Sequence, residues 1–332
     1  MTSVRRTATA LLAVLLVCAG CGGGGTSTDK HLGAAEPATA PATSAKPAGK
    51  VFKVGDLPQG IVYDAKTRLV AVAVHNPYRL LLLDPDTLKT RRSVPLPGKA
   101  RHLQVAKPGG PVLVPAETAD ELVEVSLPGG QTRTTKVLRH PHDATGTPKG
   151  DIIVGDEFSG AFTVVRDGKV IKNDRDLQQP GGVHVTGNIL AVVDVGTFTV
   201  STYDLRTFKR TGRLAAGAGP THGVLAGGGR FAVADTRGGH LIVYDLDPLK
   251  RLGSIDLPGS PYGMVADETT GTVWVTLTAK NKLVGYDVSS GTPRKVAEYD
   301  TVRQPDTVAV APGSHTLWVT GTDDGVVQRI TR

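Results

Sequence analysis

Short apolar runs that end in a polar turn recur along the chain. They are Arg79-Leu-Leu-Leu-Leu-Asp84, Glu121-Leu-Val-Glu-Val-Ser126, Ala161-Phe-Thr-Val-Val-Arg166, Thr199-Val-Ser-Thr-Tyr-Asp204, His240-Leu-Ile-Val-Tyr-Asp245, Lys282-Leu-Val-Gly-Tyr-Asp287 and Val326-Val-Gln-Arg-Ile-Thr331. The turns after the first six fall near positions 84, 126, 167, 204, 245 and 287, spaced 42, 41, 37, 41 and 42 residues apart. A period near 40 made only of strand-like segments predicts the blades of a propeller.

Each unit repeats one internal order. A lead-in containing Pro, Gly or His opens a short apolar strand, as in Pro58-Gln-Gly-Ile-Val, Pro261-Tyr-Gly-Met-Val and Pro305-Asp-Thr-Val-Ala-Val. A second apolar strand follows, for instance residues 69–74, 189–193, 231–234 and 273–277. The run quoted above is the third. A turn of the form Asp84-Pro-Asp-Thr-Leu-Lys89, repeated as Asp204-Leu-Arg-Thr-Phe-Lys209, then leads to a polar outer strand. Central strands are apolar because they pack on both faces, and the outer strand is polar because it meets water. Trp274 and Trp318 lie mid-strand and read as blade core.

The last repeat stops after its third strand, and Lys50-Val-Phe-Lys-Val-Gly55 supplies the missing fourth. The expected fold is therefore all-β: a seven-bladed β-propeller of four-stranded blades over residues 50–332, closed by an N-terminal strand that completes the last blade. Leu69-Val-Ala-Val-Ala-Val-His-Asn76, Thr272-Val-Trp-Val-Thr-Leu-Thr278 and Thr316-Leu-Trp-Val-Thr-Gly321 resemble the YVTN-type repeat of bacterial β-propellers. That resemblance implies the fold over residues 50–332; the family spans surface, binding and quinoprotein-like members and implies no single activity. The paired Gly-His and Trp-Asp signature of WD40 repeats is absent.

The start of the chain reads as an export signal. Arg5 and Arg6 precede an apolar stretch over residues 8–17, too short to span a bilayer as a helix. Ala19-Gly20-Cys21 resembles the lipobox of bacterial lipoproteins, although Cys18 stands where an aliphatic residue is usual. The resemblance implies a signal peptide over residues 1–20, lipidation of Cys21 and an address on the outer face of the cytoplasmic membrane. If the lipobox is not used, the chain is secreted. No Phe-Leu follows Arg5-Arg6, so the general secretory route is preferred to the twin-arginine route. Cys18 and Cys21 are the two cysteines of the chain, so removing the leader leaves no disulfide and the fold must be held by its core. Residues 21–49, rich in Gly, Ala, Pro and Thr, carry no apolar periodicity and are expected to form a disordered tether.

Net charge is +7, two units of it on Arg5 and Arg6, and the rest is spread without a run of like charges. With aromatic residues at 5 %, the basic stripe and stacking platform of a nucleic-acid binder are missing. The partners expected are instead the membrane, through the N-terminal lipid, and an envelope protein, glycan or small ligand.

The chain carries no G-x-S-x-G, P-loop or H-E-x-x-H motif. Any chemistry must come from residues that converge across blades. Propeller topology sets the lead-ins and the loops after each second strand on one face, around the channel mouth. There fall His102, His142 and His222 at lead-ins and His75 after a second strand, with Asp143, Asp156, Asp194 and Asp235 on the same face. His102 and His142, 40 residues apart, are expected at equivalent positions of neighbouring blades. Imidazoles and carboxylates converging on an axis suit a divalent metal, Zn²⁺ first. The competing assignment makes Asp156 and Asp235 turn residues bonded to their own backbone. His184, inside a strand, reads as a core or channel residue, His31 as part of the tether and His315 as lying on the opposite face.

Three functions remain open. The first is a noncatalytic binding or scaffold propeller at the cell envelope. The second is a metal-binding propeller, which requires His102, His142 and His222 in one coordination sphere. The third is a metal-dependent hydrolase or lactonase-like enzyme with Ca²⁺ or another metal at the channel.

Overall fold

The structure is a computed structural model and describes Met1, residues 33–314 and residues 316–331. The leader, Cys21, His31 and His315 lie outside the described residues. Among the described residues, no helix is long and apolar enough to cross a membrane.

Seven four-stranded antiparallel sheets form the blades, numbered one to seven in chain order. Their first strands are Ile61–Asp64, Gln104–Val105, Pro141–Gly146, Pro180–Thr186, Pro220–Leu225, Pro261–Asp267 and Pro305–Ala311. These strands pack against one another in order around the ring, the last against the first, so they line the axis. The strand Lys50–Lys53 pairs antiparallel with Val326–Thr331, Phe52 opposite Val327, and closes the ring.

Apolar side chains interlock between neighbouring blades. Leu80 and Leu82 of blade one pack with Val112, Val114 and Val123 of blade two. Trp274 of blade six packs with Val308, Val310 and Leu317 of blade seven. Trp318 of blade seven packs with Val70, Val72 and Leu81 of blade one. Both tryptophans are buried, as the mid-strand pattern predicts.

Two expectations are corrected. Over residues 33–48, the predicted disordered tether lies on the propeller. Ala35 and Ala40 are buried, and Ala48 N donates to Asp300 O at 2.9 Å. Composition reports whether a segment can bury its own surface, and this one docks on a surface already made. The second correction concerns register. In blade three, Pro141 pairs with Asp156 and Asp143 with Gly155, so His142 is the extra residue of a β-bulge. In blade five, Pro220 pairs with Asp235 and His222 with Ala234, so the extra residue is Thr221. Glu117 N donates to Lys99 O as Glu157 N does to His140 O, which aligns His142 with Arg101. His142 therefore sits at the bulge, and His102 and His222 sit one residue further on.

Candidate metal centre

The bulge lets side chains from two successive positions reach the mouth of the channel. His102, His142 and His222 meet there, each with a ring nitrogen within 4.8 Å of the other two. The His102 ring centroid is 4.5 Å from both His142 and His222. His142 and His222 are buried, and His102 is half-buried. His222 Nδ1 lies 3.0 Å from Tyr262 O, and its Nε2 lies 3.0 Å from His102 Nε2. His142 Nδ1 lies 3.0 Å from Glu117 Oε1.

These contacts assign the protons. A carbonyl and a carboxylate only accept, so His222 and His142 both donate from Nδ1. Arg101 Nη2, 3.4 Å from His142 Nδ1, is a donor facing a donor there, and the shorter carboxylate contact decides the tautomer. Each imidazole is left with a bare Nε2. Between His102 and His222 two lone pairs would repel, so one proton, here on His102 Nε2, or a cation must lie between them.

Glu117 and Glu157 occupy the same position in blades two and three, just after the second strand, each opening a short 3-10 turn. Arg101 Nε donates to Glu117 Oε1 at 2.8 Å. Burial pushes the Glu117 carboxyl up, but the hydrogen bonds from His142 and Arg101 and the charge of Arg101 outweigh it and hold it at about 2. Glu157 Oε1 accepts from Gln179 Nε2 at 3.0 Å. Its Oε2 has no hydrogen-bond partner among the described residues and lies 3.5 Å from His140 Nε2 and 3.4 Å from His142 Nδ1. Burial, then the neighbouring His142, lowers His222 to about 3; burial, then the neighbouring His222, His142 and Arg101, holds His102 well below its ordinary value. Both are neutral at physiological pH, the form that ligates metal.

Below the cluster the channel holds a cavity of about 80 Å³, lined by Gln104, Asp143, His184 and Gly263 among others. Above it a cavity of about 20 Å³ separates His142, His222 and Tyr262 from Ala34, Ala35 and Glu36. That upper space holds little more than one water.

The other residues singled out in the sequence do not join the cluster. Asp143 accepts from Gln104 Nε2 at 3.0 Å, from Val183 N at 3.0 Å and from Ala144 N at 2.9 Å, bracing blades two, three and four across the channel. Asp194 accepts the backbone N–H groups of Gln178, Gln179, Gly196 and Thr197. Asp235 accepts those of Ala218, Gly219 and Gly238 and contacts His240. Both are turn ties. Asp156 does not tie its own turn: its Oδ2 lies 2.5 Å from Thr163 Oγ1 in the blade interior, and its backbone partner is Leu138 of the incoming loop. His75 is buried edge-on to Tyr78, ring centroids 5.6 Å apart, and burial lowers its pKa. Sequence reasoning missed Arg101, Glu117, His140, Glu157 and Tyr262. The Glu pair carried a signal, since Glu117 and Glu157 recur one blade repeat apart after a second strand.

No protein-family model and no curated protein sequence matches the chain. Solved structures share the fold. A chain of Kuenenia stuttgartiensis hydrazine synthase superposes with a TM-score of 0.71 at 15% identity, covering 83% of this chain and 96% of that one. A streptogramin B lyase gives 0.73 at 15%, covering 85% and 97%. A chain of the mitotic checkpoint complex gives 0.73 at 13%, covering 90% and 98%. Identities this low carry the propeller fold and nothing of the activities.

Proposed function

We propose that this chain is a binding propeller whose ligand is a divalent transition metal, Zn²⁺ first, held by His102, His142 and His222 at the channel mouth. One observation carries the reading. The Nδ1 atoms of His142 and His222 are both engaged by acceptors, Glu117 and Tyr262, which leaves each Nε2 free to ligate, that of His222 3.0 Å from His102 Nε2. Outer acceptors of this kind fix the tautomer and ring angle of metal-ligating histidines.

The charge balance supports a cation. Two buried carboxylates, Glu117 and Glu157, lie beside the half-buried guanidinium of Arg101 and the imidazoles of His140 and His142. The donor set favours Zn²⁺ over Ca²⁺, which takes oxygen ligands. Three protein ligands leave a coordination position for water or a small ligand, and the chain's own residues supply orientation and exclusion of bulk solvent. A lipid on Cys21 would hold this site at the outer face of the cytoplasmic membrane; that address is part of the proposal.

The test is elemental analysis of the purified full chain, then Zn²⁺ titration calorimetry with His142→Ala and His222→Ala. Stoichiometric metal, with affinity falling about 100-fold or more in either variant, is the expected result. A chain that carries no metal and gives no heat on titration overturns the reading and leaves a propeller that binds something else.

A further inference from the structure

The segment 33–41 crosses the channel-mouth face, held by side chains from blades five, six and seven. Arg237 Nη2 donates to Gly33 O at 2.7 Å. Ser260 Oγ accepts from Ala38 N at 3.0 Å. Gln304 bonds the segment twice: Nε2 donates to Ala38 O at 3.1 Å and Oε1 accepts from Ala40 N at 2.7 Å. Asn281 Nδ2 donates to Pro41 O at 2.9 Å. All five bonds go to main-chain groups, and the side chains buried beneath are Ala35 and Ala40. Glu36 reaches inward to Arg101 Nη1 at 3.8 Å, the residue that also braces Glu117.

We propose that this face is a groove for an extended polypeptide with small side chains, and that residues 33–41 occupy it in cis as a displaceable cover on the histidine cluster. Main-chain bonding by Gln, Asn, Ser and Arg is indifferent to most side chains. The two closed positions at Ala35 and Ala40 make it selective for small ones. The cavity of about 20 Å³ between the segment and His142 and His222 shows how closely the cover sits. The inference goes beyond the metal reading and does not depend on it.

The test uses the full chain freed of metal by chelation. Ala35→Arg/Ala40→Arg places two long cations in closed positions and unseats the segment; Gln304→Ala, which removes two bonds without added bulk, serves as a second variant. Amide exchange at residues 38 and 40 reports the segment. Carbethoxylation of His102 and His222, read residue by residue by mass spectrometry, reports access. Both rates should rise about ten-fold or more in the double variant. A synthetic peptide of residues 33–45, added in trans, should bind the double variant, restore the slow carbethoxylation rate and bind less well when Gln304→Ala is also present. Histidine reactivity unchanged while the amides exchange freely would overturn the cover. A peptide that fails to bind the unseated chain would overturn the groove. Protection observed in a chain that takes up no metal would leave this inference standing and remove the metal reading.

Discussion

His142 turns Nδ1 toward Glu117 Oε1 at 3.0 Å, from the first strand of blade three to the turn of blade two. With its pKa near 2, the carboxylate is a permanent acceptor at neutral pH. It therefore holds one tautomer of His142 whether or not a metal is present. Glu117→Gln keeps an acceptor oxygen but loses the charge and gains a competing amide donor. Zn²⁺ affinity, measured by competition with a chromophoric chelator, should fall about 10- to 100-fold. A change below two-fold would show that Glu117 does not orient the ligand.

Asp156 makes the opposite use of burial. Thr163 Oγ1 lies 2.5 Å from Asp156 Oδ2 and 2.8 Å from Asn173 Oδ1. Thr163 donates its hydroxyl proton to Asp156, and burial in the blade interior works against that bond by disfavouring the charged carboxylate. Burial raises the Asp156 pKa to about 7, against the hydrogen bonds that lower it. In the unfolded chain the group titrates near 3.9. The folded state then binds the proton more tightly, so stability falls as pH rises from about 4 to about 7 and levels off above, a loss of up to about 4 kcal/mol. Asp156→Asn retains an acceptor for Thr163 and removes that slope. Its thermal midpoint should exceed the parent's at pH 8 and approach it at pH 4. Parallel profiles for the two proteins would mean that Asp156 is ionised in the fold.

The contrast between Asp156 and Asp235 marks what the sequence could not separate. Both end a second strand and precede a glycine-containing turn. After Asp235 the turn brings Gly238 N back to the carboxylate, whereas after Asp156 the chain enters the 3-10 turn Glu157–Ser159 and the carboxylate turns inward to Thr163. Blade count, strand order and ring closure were legible because alternation and turn chemistry repeat seven times. The convergence of His102, His142 and His222 was foreseeable from topology. Their register was not, because a one-residue bulge moves His142 without changing the period. Arg101 and Tyr262 gave no signal, since their roles arise only across blades. The segment 33–41 reads as a tether because docking of small side chains leaves no periodic pattern.

Asp235 gathers the backbone N–H groups of Ala218, Gly219 and Gly238 at 2.9 to 3.1 Å. Asp235→Ala removes the acceptor for all three donors at once. It should destabilise the domain by about 2–4 kcal/mol in urea unfolding, without altering Zn²⁺ stoichiometry. Loss of metal with unchanged stability would instead make this carboxylate a ligand.

Trp318 locks the seam of the ring. Its indole stacks on Tyr63, centroids 4.9 Å apart, and its Nε1 donates to Pro85 O at 3.1 Å; both partners belong to blade one. Because the propeller's first and last strands meet in blade seven, this contact decides whether that blade stays docked on the first. Trp318→Phe keeps an aromatic face for Tyr63 but leaves the buried Pro85 carbonyl without its donor, and should cost about 1–3 kcal/mol. Trp318→Ala adds a cavity between the blades and should cost about 3–5 kcal/mol. If the seam unfolds as a unit, amide exchange in Lys50–Lys53 should accelerate in step with the lost stability, while exchange in blades three and four follows only global unfolding. Uniform acceleration in every blade would show that the ring opens all at once and that the seam is no weaker than any other blade boundary.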